Sequence, residues 1–198
     1  MTDQLDALKQ LTDAQAAQVR AVMLESGQLP PPAHLPTLSA AQMPASLDAL
    51  RDALSGNAMA WGQRAPDGSA LAHFAHGLLY AGVMLNSCRT LDPAPHNALA
   101  VFTTWAAGFA RDVLDQAGVS EGVIDEALES PVLSPQLLAA LPDNMARGAA
   151  GAALGVFCAA AHSYTYLEPD HVMTLLALAG REVAGPDFMP STGEGLRA

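Results

Sequence analysis

The sequence predicts an all-α fold: a single-domain bundle of about seven or eight helices around two buried central helices. Three observations lead there. Alanine fills about a fifth of the 198 positions while aromatic residues make up 5%, and alanine is the best helix former and a poor strand former. Two stretches, 70–88 and 148–167, run without a formal charge and stay apolar or small on every side of a helical wheel, the pattern of a helix buried all round. Helix start and stop signals recur between them. A chain of 198 residues suits one domain with a sizeable core. Hydrophobic content of 51% and a mean hydropathy of +0.20 exclude a disordered chain.

Taken in order, Thr2 caps a short helix to about Gln10. Thr12 and Gln15 form the capping box of a second helix, which Gly27 stops, so residues 1–27 read as N-terminal helices. Residues 28–45 hold Pro30, Pro31, Pro32, Pro36 and Pro44 and read as an extended linker or arm. The helical core domain is placed at 46–185. Ser46 opens a helix ending near Gly56, and a Gly- and Pro-containing loop to residue 69 carries Trp61 as a plug over the core edge. The helix 70–88 follows, broken by Asp92, Pro93 and Pro95. A helix over 97–117 then ends at Gly118, Ser120 caps a short helix over 121–129, and Ser134 with Pro135 opens another to about Leu141. The stretch from Pro142 to Leu167 is the second central helix, and Pro169 starts a last one to about Val183. Residues 186–198 read as a disordered tail.

The charge balance narrows the function. Nine Lys and Arg face twenty Asp and Glu for a net −11, and Lys9 is the only lysine. Without a basic patch to neutralise phosphates, nucleic acid is excluded as a partner, and an anionic membrane surface is disfavoured for the same reason. The uncharged run 148–167 has a spanning length. It is mostly Ala and Gly, however, with His162, Ser163, Tyr164, Thr165 and Tyr166 bunched at one end, so no membrane span is expected. The N-terminus carries acids where a signal peptide needs a basic start. Two cysteines in apolar surroundings fit a reduced compartment, and the chain reads as cytoplasmic.

On the 142–167 helix, Gly148, Gly151, Gly155, Cys158, His162 and Tyr166 share one face. Each interior glycine costs about 1 kcal/mol against alanine, so three on one face call for the close approach of a helix or a flat ligand. His73 and His76 stand i, i+3 on the other central helix, with Tyr80 one turn on, a spacing that can hold a metal or a haem edge. His96, His162, Asp170 and His171 are the residues that could complete such a site, although histidines satisfied by backbone and tyrosine account for the pattern more simply. Cys158, His162 and Tyr166 at i, i+4, i+8 contain a Cys–His pair of nucleophile type, but no third orienting group follows, and a packing stripe with a polar end is the simpler account. Glu121, Asp125 and Glu129 line one side of an amphipathic helix and read as a solvated face. The candidate ligand-binding set is therefore His73, His76, Tyr80, Gly151, Gly155, Cys158, His162 and Tyr166, with no dedicated metal site and no cofactor named.

The stretch DQAGVSEGVIDEAL, 115–128, resembles the helix-turn-helix that follows the active cysteines in the carboxymuconolactone decarboxylase family. The preceding FTTWAAGFARDVL lacks that family's Cys-x-x-Cys and histidine, so no catalytic role carries over. The first functional expectation is a non-enzymatic helical protein that packs as a homo-oligomer or binds a hydrophobic small molecule. The second is a metal- or haem-dependent enzyme or sensor using His73, His76 and His162.

Overall fold

A helix made of glycine, alanine and little else has short side chains, so its neighbours must come close to exclude water from it. The computed structural model describes residues 42–91, 94–129, 134–163 and 169–185, and shows how this chain meets that requirement. Seven helices are described: α1 (Met43–Gly62), α2 (Ala70–Leu91), α3 (Pro95–Gln116), α4 (Glu121–Glu129), α5 (Pro135–Ala140), α6 (Asn144–His162) and α7 (Pro169–Ala184). They pack on one another as an all-α bundle, with no strand among the described residues. The expectations for residues 1–41 and 186–198 lie outside the described residues.

The axis is α6, in which every residue from Ala150 to Ala161 is buried. The Asp143 carboxylate accepts from the Ala146 amide at 2.8 Å and caps its first turn. Helices α2, α3 and α7 surround it, and α1 lies across α2 and α7. The core they share is built from Leu47, Leu50, Leu54, Phe74, Leu78, Leu85, Leu99, Phe102, Leu114, Val156 and Leu176. The outer side of α2 is not part of it: Leu79 and Tyr80 are each 50% exposed and Val83 is 62% exposed.

Several boundaries move from their expected places, each for a visible reason. Helix α1 begins at Met43 with Pro44 in its first turn, where proline's missing N–H costs nothing, so the proline-bearing arm gives way to helix before Ser46. Ser46 does not cap. Its hydroxyl is buried and donates to the carbonyl of Ser163, at the far end of α6, at 2.8 Å. At its other end α1 runs through the expected loop to Gly62, because Trp61 is buried on its last turn. The indole lies on Gly180 of α7, where a methyl group would come within 2.5 Å of it. The true turn comes later, at Gly68, whose φ of +70° suits glycine. Helix α2 reaches Leu91, three residues beyond its expected end at Cys88. Helix α6 ends at His162, five residues short of Leu167, and residues 164–168 lie outside the described residues. The stops and starts at Ser134, Pro135, Gly118 and Pro169 fall where the sequence places them. No described helix is long and apolar enough to cross a membrane.

Candidate functional site

The glycines of α6 are occupied by the chain itself. A methyl group on Gly148 would run into the Ala70 carbonyl, the His73 Cβ (2.6 Å) and the Phe74 amide nitrogen (2.9 Å) of α2. One turn further on, the relation is reciprocated: Gly77 of α2 leaves room for Ala152 of α6. Gly151 faces Val183 and Phe74, and Gly155 faces Ala179 and Leu176 of α7. The close approach that the glycine face calls for is thus met by α2 and α7.

The other expected site residues scatter around this axis. Cys158 is buried, and burial pushes its thiol up to about 12, which favours the protonated form at neutral pH. Burial raises the Cys88 thiol as well. His162 is half-buried on the last turn of α6. Tyr166 lies outside the described residues, as do the side chains of Asp170 and His171. On α2 the two histidines part company: His73 is half-buried beside Gly148, whereas His76 is exposed. Among the described residues no group of three or more His, Cys, Asp or Glu is placed to hold a metal. Glu121 and Asp125 of α4 both pair with Arg111 of α3, the first at 2.7 Å, which ties a surface helix to the bundle.

Tyr80 is the expected residue that the fold places among functional-looking neighbours. Its ring meets Trp105 and Phe109 of α3 edge-on, each with centroids 5.6 Å away. Trp105 stacks on Phe109 at 5.1 Å and on the buried Phe102 at 5.4 Å. Tyr80, near the middle of α2, meets Trp105 and Phe109, near the middle of the next helix α3, so the two helices form an antiparallel hairpin. Its outer surface is an uncharged band in which apolar side chains stand beside His76, Asn86 and Ser87. Helix α2 contributes His76, Leu79, Tyr80, Val83, Asn86 and Ser87, all exposed. Helix α3 contributes the half-buried Val101, Trp105 and Phe109 and the exposed Gly108.

No Asp, Glu, Lys or Arg occurs in 70–88 or in 95–110, so the band is free of formal charge along both helices. At its ends Arg89 reaches Asp48 at 3.0 Å and Arg111 reaches Asp125 and Glu121, while the exposed Asp112, on the same stripe as Trp105 and Gly108, belongs to none of these pairs. Sequence reasoning missed Trp105 and Phe109, although the signal is present. Phe102, Trp105 and Phe109 stand at i, i+3, i+7 on one stripe, in a helix that carries no charge until Arg111. No protein family, curated protein or solved structure matches the chain.

Proposed function

We propose that the chain is a non-enzymatic binding protein whose working surface is the outer band of α2 and α3. The observation that carries this reading is the ring cluster of Tyr80, Trp105 and Phe109 at the surface, continued by Leu79 and Val83, which are 50% and 62% exposed. Contiguous apolar surface left in water on a folded domain marks an interaction site, and aromatic anchors dominate the energetics of such sites. The reading keeps Tyr80 and His76 from the expected ligand set. It moves the site from the glycine face of α6, which this chain's own helices fill, to the opposite side of α2. Catalysis has less to draw on, since the Cys158 thiol is held protonated and His73 and His76 differ in exposure.

The chain has two tryptophans, so Trp61→Phe leaves Trp105 as the sole reporter of the band. The expected result is that Trp105 emission is either shielded from acrylamide or altered by Nile red, a neutral apolar probe. Either response should be lost in Val83→Glu. Trp105 open to acrylamide at every protein concentration, with no response to the dye, would overturn the proposal.

A further inference from the structure

We infer that the partner on the α2–α3 band is a second copy of this chain, which forms an isologous dimer of hairpins; the inference rests on the binding reading above. The first argument is electrostatic. Two copies of a chain with net charge −11 repel wherever their acidic surfaces meet. Glu121, Asp125, Glu126 and Glu129 on α4, offset only by Arg111, make such a surface acidic, whereas Asp48 and Asp52 on α1 are matched by Arg51 and Arg89. The band is uncharged over 70–88 and 95–110, so like copies can meet there with only the Asp112 carboxylate, one turn beyond Gly108, at the edge of the contact. An unlike partner would be under no such constraint and would gain from opposite charge at the contact, which the band does not offer.

The second argument is geometric. The exposed band residues of α2 run from His76 to Ser87, which at about 1.5 Å per residue span roughly 18 Å, and two helices about 10 Å apart present a width of roughly 20 Å. That is roughly 360 Å² in projection, below the about 800 Å² that each partner gives a standard interface, so the pairing is a weak one that forms as concentration rises. The band lies on one side of a hairpin, as a self-complementary two-fold contact requires.

Gly108 is exposed in the middle of α3, and a Cβ built on it meets nothing within 4 Å. Unlike Gly148 and Gly151, it serves no close contact among the described residues, yet a mid-helix glycine weakens its helix. Seated beside Trp105 and Phe109, it leaves a shallow place where a ring of the second copy can approach the α3 backbone.

The test is sedimentation equilibrium of the full chain from about 1 to 500 µM. The wild type is expected to move with concentration from 20.4 kDa to twice that mass. Val83→Glu places a carboxylate from each copy in the seam and is expected to remain at 20.4 kDa with an unchanged helical circular dichroism spectrum. Gly108→Gln, which a monomer accommodates because its Cβ position is open, is expected to weaken the dimer at least tenfold. Val123→Glu, at an exposed position on α4, is expected to leave it unchanged. A wild type that stays monomeric throughout overturns the second copy as partner. If its Trp105 nevertheless responds to Nile red in a Val83-dependent way, the binding reading stands without it; if not, both fall. A dimer that persists in both band variants also overturns the inference, because it must use another face.

Discussion

Gly148→Ala adds one methyl group, and the fold states where it goes. Two opposed effects decide the outcome. Alanine is better than glycine in a helix interior by about 1 kcal/mol, which favours the variant. Against this, the new Cβ overlaps the Ala70 carbonyl, the His73 Cβ and the Phe74 amide nitrogen. Two of those three are backbone atoms that no rotamer change can move, so α2 must retreat from α6 by something near 1 Å. The retreat also loosens the neighbouring Gly77–Ala152 contact, and dispersion falls steeply over such a gap. Overpacking of this kind costs about 1–3 kcal/mol and the upper part of that range applies to backbone, so a net loss of about 1–2 kcal/mol is expected. At about 2–4 °C per kcal/mol for a chain of this size, the thermal midpoint should fall by roughly 2–8 °C. Gly82→Ala is the matched control. Gly82 lies on α2, and nothing stands within 4 Å of its Cβ position. Only the propensity gain applies, and the midpoint should rise. Thermal unfolding followed by circular dichroism reads both; a Gly148→Ala midpoint that rises alongside that of Gly82→Ala would refute the close crossing of α2 and α6.

Three further outcomes follow from single contacts. Trp61→Ala removes a buried indole seated on Gly180 and should cost about 3–5 kcal/mol by urea denaturation; a loss under about 1 kcal/mol would mean that α1 does not pack there. Asp143→Ala should lose about 1 kcal/mol by the same measurement, since it deletes the acceptor for the Ala146 amide, and Asp143→Asn should retain most of it. Burial raises the Cys158 thiol from 9.0 to about 12, so above pH 9 the unfolded chain releases a proton that the folded chain keeps. Stability should therefore fall as pH rises from about 9 towards 12. Cys158→Ala should flatten that slope, and iodoacetamide should label position 158 at pH 8 only after denaturation.

The all-α class was legible because alanine content and uncharged runs act locally, on each helix by itself. Element ends were legible where a cap or breaker acts on its own backbone, as at Ser134, Pro135 and Gly118. They were not legible where tertiary contact overrides local preference. Trp61 looked like a loop residue because its neighbours include Gly56, Gly62 and Pro66, yet burial on Gly180 holds the helix together through it. Ser46 looked like a cap, and its hydroxyl instead bonds a residue 117 positions away, which no local rule foresees. The glycine face on α6 was readable as a place of close approach, but its occupants were not. Gly148, Gly151 and Gly155 would look the same beside a ligand, a partner or, as here, α2 and α7. Tyr80 was picked out for its histidine neighbours. Its true companions, Trp105 and Phe109, stand on another helix and become visible only once the hairpin closes.

The meeting of α1 and α7 has a consequence for how the chain is made. Asn57 donates to the Met173 carbonyl across 116 positions at 3.3 Å, Trp61 rests on Gly180, and Ser46 closes on Ser163. During synthesis at about 5–20 residues/s, α1 therefore leaves the ribosome roughly 6–23 s before its last partner exists. Over that interval it has α2 and α3 to lean on, but the side that receives α7 stays in water, and so does the Gly151–Gly155 face of the axis helix once it emerges. Until Val183 has cleared the exit tunnel the nascent chain is an open bundle, with Asn57 and Trp61 at its unfilled seam. A ribosome stalled shortly before α7 should hold a chain that proteases cut readily, and one stalled well beyond it a chain that resists them.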